Sequence, residues 1–269
     1  MKPFYLLTDL ESIPLRIQTL GSFRVWRDGV EIEAITWSRE KAVHLFQYFV
    51  TMRGQHFHKE QIIDQLWPDL DMKASDRDFK VALHAINKAL EPERAPRVET
   101  RFIQRNDLTY GLNLTDEVWI DADVFEQHVI AGNQVVNSDT AATIQHYQAA
   151  VGLYAGNYLP ERRYEDWTSA ERERLQILVM NMMTKLADLL VEQNPLESLR
   201  LTQRVLMLDP VWEDAYRTQM RAYMAQGNRP LALRAYQQCL EKLAEEFGVE
   251  PLPETQELHQ AIRHVGNPK

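Results

Sequence analysis

Five side chains between Arg77 and Lys88 have the types and spacing to meet an anionic partner. In "ASDRDFKVALHAINKAL" (Ala74 to Leu90), a turn of 100° per residue gathers Arg77, Lys80, Val81, His84 and Lys88 on one stripe. The opposite stripe carries Phe79, Leu83, Ile86 and Leu90, the pattern of a core-facing side. Asp76 and Asp78 lie near the helix start, where the macrodipole favours acids. The chemistry of the basic stripe suits a nucleic acid. Arg77 and Lys88 reach phosphates or guanine edges, His84 and Asn87 contact base edges, Val81 meets a thymine methyl, and Lys80 adds charge. An ordinary amphipathic helix with a solvated face shows the same periodicity, so the neighbouring elements must decide.

Other constellations point to less. His56-x-His58 has no nearby Cys/His set to complete a metal site with familiar spacing. Glu165-Asp166 and Glu245-Glu246 are adjacent in sequence, and helical neighbours do not face one another, so solvated helix faces explain them better than acid–base work. No G-x-x-x-x-G-K-[ST] and no G-x-G-x-x-G occurs, so neither nucleotide-binding signature is present. Tyr154, Tyr158, Tyr164, Trp167, Trp212, Tyr216, Tyr223 and Tyr236 read as helix-packing aromatics rather than a ligand groove. A single cysteine, Cys239, excludes an internal disulfide and reads as a small buried hydrophobe. We expect no enzyme activity, no cofactor and no metal.

The basic stripe belongs to the third of three helices. "LRIQTLGSFRVWRDGVEI" (Leu15 to Ile32) alternates apolar and polar residues around Asp28-Gly29, a hairpin dipeptide. "SREKAVHLFQYFVTM" follows as a helix, with Ser38 as its N-cap. A second helix runs from Lys59 to Leu66 and stops near Pro68. After the third, "RVETRFIQRNDLTYGLNL" reads as two strands around Asn106-Asp107, with Arg101 and Arg105 flanking Phe102-Ile103-Gln104. Strands, three helices and a hairpin are the order of a winged helix with an extra N-terminal sheet, and such folds place the third helix in the major groove. Arg105 at the wing tip would then enter the minor groove or hold its phosphates, with Arg101 beside it. Arg39 and Lys41, at the start of the first helix, either contact phosphates or are simply solvated.

From about Trp119 the pattern changes to helix after helix, with no convincing strand: 122–131, 140–154, 167–192, 195–208, 211–225, 229–247 and 253–265. "DPVWEDAYRTQMRAYMAQGNRPLALRAYQQCLEKL" looks like a tetratricopeptide repeat, a helix pair joined at a glycine. Charge divides the same way. Residues 15–114 hold 15 basic and 14 acidic side chains, while residues 115–269 hold 14 and 23. The formal charge of −9 therefore sits in the second half, and the first half can still carry a local basic surface.

Taken in order, "TLGSFRVWRDG", "QLWPDL", "FKVALHAINKALEP", "YAGNYLPERRYEDW" and "AYMAQGNRPLALRAYQQCLEKLAEEFGVEPLPET" resemble the SARP-type bacterial transcriptional regulators. The resemblance runs from about Leu15 to Ile262. It implies an α+β OmpR-like winged helix-turn-helix domain at 15–114, after an N-terminal extension at 1–14. An all-α tetratricopeptide-like bacterial transcriptional activator domain would occupy 115–269. It also implies a cytoplasmic DNA-binding activator whose partners are double-stranded promoter DNA and RNA polymerase, acting as a homodimer or in tandem on direct repeats. Asp69, Leu70 and Asp71 lie in the loop that touches polymerase in OmpR-like regulators, and a loop that merely caps the next helix is the other reading. Family members tend to carry arginine where this chain has Ala85 and Asn87. The rival function is a helical-repeat interaction module whose winged helix no longer reads DNA.

Overall fold

The computed structural model describes residues 7–37 and 39–264, so the Ser38 cap lies outside the described residues. The chain divides into two compact units. One takes the residues through Val124 together with Ala155–Glu173, and the other takes Phe125–Tyr154 and the residues from Arg174 onward.

The first unit begins with an antiparallel meander of β1 (Leu15–Gln18), β2 (Arg24–Arg27) and β3 (Val30–Glu31). Asp28 and Gly29 both hold positive φ, 48° and 78°, as the tight turn between β2 and β3 requires. Leu15, Ile17 and Val25 face the core. Three helices follow: α1 (Glu40–Thr51), α2 (Lys59–Leu66) and α3 (Met72–Leu90). The β4 strand (Phe57–His58) just before α2 joins β5 (Ile103–Asn106) and β6 (Thr109–Leu112) in a second sheet, ordered β4-β6-β5. This is the winged-helix arrangement. Gly111 on β6 is obligatory for it, because a Cβ there would lie 2.4 Å from the Gln55 carbonyl oxygen.

Two strands depart from the sequence reading. β4 is only two residues long, below what alternation can reveal. The larger correction is β7 (Val118–Ile120), where the sequence shows no convincing strand after about Trp119. It pairs in parallel with β1 and gives the first sheet the order β3-β2-β1-β7. Val118, Trp119 and Ile120 are all buried, so they show no alternation, and their pairing partner lies about a hundred residues earlier. Asp121 opens α4 (Asp121–Val135) and locks this junction. Its buried carboxylate accepts hydrogen bonds from Thr19 N (2.8 Å), Thr19 Oγ1 (2.7 Å), Leu20 N (2.8 Å) and Ala122 N (2.8 Å). Arg53, at the turn after α1, is held by Asp123 (2.5 Å) and Glu171 (2.8 Å).

In the second unit the helices are α5 (Thr140–Leu153), α6 (Asp166–Leu190), α7 (Pro195–Leu208), α8 (Glu213–Ala225), α9 (Arg229–Phe247) and α10 (Pro253–His264), with the first turns of α6 assigned to the first unit. Their boundaries follow from capping chemistry. Asp139, Asn194 and Asn228 accept from backbone N–H groups at the starts of α5, α7 and α9, and Pro195 and Pro230 stand in first turns. Gly227 and Gly248 end α8 and α9 at φ of 70° and 67°. α8 packs between α7 and α9. Met220, Ala232, Ala235 and Ile262 form one buried cluster, and Tyr216, Cys239 and Leu243 another. Cys239 is therefore a core side chain, and burial pushes its thiol up to about 12. Of the eight aromatics read as packing residues, Tyr164 is the exception, at 92% exposed. Among the described residues no helix is long and apolar enough to cross a membrane.

Candidate nucleic-acid interface

α3 starts at Met72 because Asp71 caps it, its carboxylate accepting from Lys73 N (2.9 Å) and Ala74 N (3.0 Å). The buried side of α3 comprises Ser75, Phe79, Ala82, Ala85, Ile86, Ala89 and Leu90. This corrects the expected stripe in one respect: Leu83 is only half-buried, and three alanines take the core positions. Small side chains let α3 lie close on α1, and the helix is rotated accordingly. Ala85, where family members tend to carry arginine, is 7% exposed and cannot present a long side chain outward without moving.

Arg77, Lys80, His84 and Lys88 are exposed on the side away from the core, while Val81 and Asn87 are half-buried. The cations differ in what already holds them. Asp76 accepts from Lys59 of α2 (2.5 Å) and Lys80 (2.6 Å), and Asp78 accepts from Lys41 of α1 (2.5 Å) and lies 3.4 Å from Arg77. These hydrogen bonds, from Lys59 first in one case and from Lys41 first in the other, hold both carboxyls below the usual carboxylate range. The two acids thus tie α3 to α2 and α1, and their charge is already answered from within the fold. Lys88 and Arg39 are exposed and form no ion pair among the described residues.

The wing is fixed to the same helix. Tyr110 of β6 packs edge-on against Phe79 of α3, with ring centroids 5.0 Å apart. The Arg105 guanidinium sits 5.7 Å from the Tyr110 ring and donates from Nε to the Asp107 carbonyl (2.9 Å), so it is held at the tip of the hairpin. Arg101 is not brought to the tip. Its guanidinium makes a two-pronged pair with Glu117 and lies over its neighbour Phe102.

A cleft of 630 Å³ opens between α3 and the wing, lined by Leu83, Asn87, Arg97, Gln104, Arg105 and Asn106 among others. The Asn87 Oδ1 is buried beside it without a hydrogen-bond partner. Arg97 is the cation that sequence reasoning misses. It is exposed, with φ of +70°, in the loop from α3 to β5. Glu91, Glu93 and Glu99 in that loop mask it in any local count of charge.

Other expected positions sort by what they touch. In the α2–α3 loop, Asp71 is the cap described above, whereas Asp69 and Leu70 are exposed. Leu70 and Met72, the latter 86% exposed, border a cleft of 650 Å³ with Trp67, Pro68 and Ile63 of α2. His58 caps α2 with Gln61 in a reciprocal capping box, and His56 lies 3.1 Å from the Gln104 amide oxygen, so each has a partner in the fold.

The family model described as the bacterial transcriptional activator domain matches residues 120–263. Among solved structures, the chain is similar to Mycobacterium tuberculosis EmbR in complex with a low affinity phosphopeptide, with a TM-score of 0.79 and 18% sequence identity. That match covers 95% of this chain and 66% of the EmbR chain, just under two thirds of its length, and at this identity it concerns the fold. No curated protein matches the sequence.

Proposed function

Because the chain belongs to the bacterial transcriptional activator domain family and is a transcriptional regulator of the SARP type, we propose that its winged helix binds promoter DNA in a sequence-specific way and recruits RNA polymerase there. The observation that carries this reading is the sorting of charge on α3. Asp76 and Asp78, which would repel a phosphate backbone, are answered by lysines of α2 and α1, leaving Arg77, His84 and Lys88 outward. With α3 in the major groove, Lys88 and Arg77 donate to phosphates or guanine, Lys80 adds charge, and His84 and Asn87 read base edges beside Val81. Arg105 at the hairpin tip meets the adjacent backbone or minor groove, and Arg97 adds another cation along the cleft. Arg39 approaches phosphates from the start of α1, Lys41 beside it acts by neutralising Asp78 on α3, and Arg101 acts by bracing the base of the wing through Glu117. Asp69 and Leu70, next to exposed Met72, are the polymerase-facing surface, and tandem binding to direct repeats is the arrangement we expect.

A gel shift against genomic fragments at ~50 mM salt tests the reading. Enrichment of one sequence, with a steep loss of affinity as salt rises, supports it. The absence of any shift at that salt would sink it and would leave a helical-repeat interaction module.

A further inference from the structure

The last turn of α3 carries Asn87 and Lys88, and its end is held by polar contacts from two neighbouring elements, all within the first unit. Arg27, the final residue of β2, donates from Nη1 to the Ala89 carbonyl oxygen at 2.6 Å. That oxygen is one of the last four carbonyls of the helix, which have no partner within the helix itself. Arg27 forms no ion pair among the described residues, so its charge is met by the negative end of the α3 dipole. Its backbone is in register with Leu15 of β1 and Val30 of β3, so the sheet fixes the root of the side chain. Glu91, the residue just past the helix, accepts from Arg101 N (2.9 Å) at the base of the wing. Ala89 and Leu90 are buried, but apolar burial is non-directional and sets only how deep the turn lies. A cleft of 390 Å³, lined by Arg27, Leu90, Glu91 and Phe102 among others, leaves the turn room to roll. Hydrogen bonds are directional and fix that roll.

We propose, resting on the DNA binding proposed above, that Arg27 is a positioning residue for sequence recognition. Through the Ala89 carbonyl it sets the direction in which the last turn of α3 presents Asn87 and Lys88 to the major groove. Base-edge hydrogen bonds demand alignment, whereas attraction to the phosphate backbone is electrostatic and tolerates a small displacement. Arg27 therefore acts on the choice between sequences rather than on affinity for DNA in general. It does so without touching DNA, from a strand 62 residues away along the chain.

The test compares the full chain with Arg27→Met and Arg27→Lys on two duplexes, the one that wild type selects from genomic fragments and a scrambled one of equal composition. Arg27→Met lowers the ratio of the two affinities by about tenfold, the size of one lost base-edge contact, at an unchanged salt slope. Arg27→Lys restores most of the ratio, since a lysine donates to the same carbonyl. A ratio that Arg27→Met leaves unchanged overturns the proposal. So does a slope shallower by about one, which would make Arg27 a phosphate contact in its own right. Hydrogen exchange gives a reading without DNA. In Arg27→Met the Leu90 and Glu91 amides, which close the last turn, exchange about tenfold faster while the Phe79 amide keeps its rate. Unchanged rates at Leu90 and Glu91 overturn the proposal, and so does an equal acceleration at all three, the mark of a general loss of stability. A wild type that prefers no sequence brings down the proposed function and the role of Arg27 together. Where wild type does select a sequence, the other failures bring down the role of Arg27 alone.

Discussion

Two buried polar side chains, one in each compact unit, are treated in opposite ways. Asp121 is 2% exposed and answers four donors, three of them from Thr19 and Leu20 at the end of the neighbouring strand β1. Gln219 is 5% exposed, and its side chain makes no hydrogen bond among the described residues. The first is a joint: its partners are fixed by the chain itself, and it holds β1, β7 and α4 together. The second is not a joint: its amide lines an open groove and is not among the side-chain atoms sealed from solvent without a partner, so water can supply its bonds. The same distinction sorts the cations. Lys41 and Lys59 are joints between helices, and Lys88 is not.

The largest test of that distinction is Asp121→Ala. It strands the Thr19 and Leu20 donors in a place water cannot reach, at roughly 1–3 kcal/mol each, and we expect a loss of about 4 kcal/mol. In a chain of this size that corresponds to roughly a 10 °C fall in Tm. A change within a degree or two would show that the joint is not one, and would remove the contrast with Gln219. Calorimetry reads it directly.

Acidity sharpens the same point. Burial pushes the Asp121 carboxyl up to about 6, and the hydrogen bonds from Thr19 and Leu20 only partly offset that. In the unfolded chain an aspartate titrates near ~3.9, so the folded state holds its proton more tightly. The resulting stability is fully present below about pH 4 and is lost as pH rises through about 6. We expect it to fall by roughly 2–3 kcal/mol over that window. The gap between wild type and Asp121→Asn in urea unfolding isolates it, because other groups titrate alike in both. A gap that stays constant between pH 4 and 7 contradicts the assignment.

What could be read in the sequence, and what could not, follows the same line. Lys59–Leu66, Pro195–Leu208 and Arg229–Phe247 are legible because the signals at their ends are local: a histidine or asparagine cap at each start, and a nearby proline or glycine beyond each end. β7 is not legible, since three buried residues become a strand only by pairing with β1 about a hundred residues away. On α3 the exposed cations are legible from a 100° turn, but the partners of Asp76 and Asp78 come from other helices and have no local signal. Leu83 misled for a related reason. Hydrophobicity favours it for the core, but close packing on α1 favours Ala82, Ala85 and Ala89.

That packing makes the two family arginine positions separable. Ala85→Arg must force a long cation into a buried site, and we expect it to destabilise by about 1–3 kcal/mol, the range for overpacking a core. Asn87→Arg is half-buried beside the cleft between α3 and the wing, and we expect it to fold normally and bind DNA more tightly. Equal stability of the two variants in thermal melts would mean that α3 does not sit on its alanines as described.

The smallest effect separates a joint from an available cation. Lys88→Ala removes a charge that no acid of the fold holds, so its whole interaction is with the partner. We expect about a five- to tenfold loss in DNA affinity and a salt slope shallower by about one. Lys41→Ala removes a charge already pledged to Asp78, and it also frees that carboxylate on α3. Affinity then falls because the freed carboxylate repels the DNA backbone, while the number of phosphates neutralised, and of counterions released, stays nearly the same. Gel shifts across a salt series distinguish the two. If the slope changed as much for Lys41→Ala as for Lys88→Ala, pairing within the fold would not predict which cations meet the phosphates.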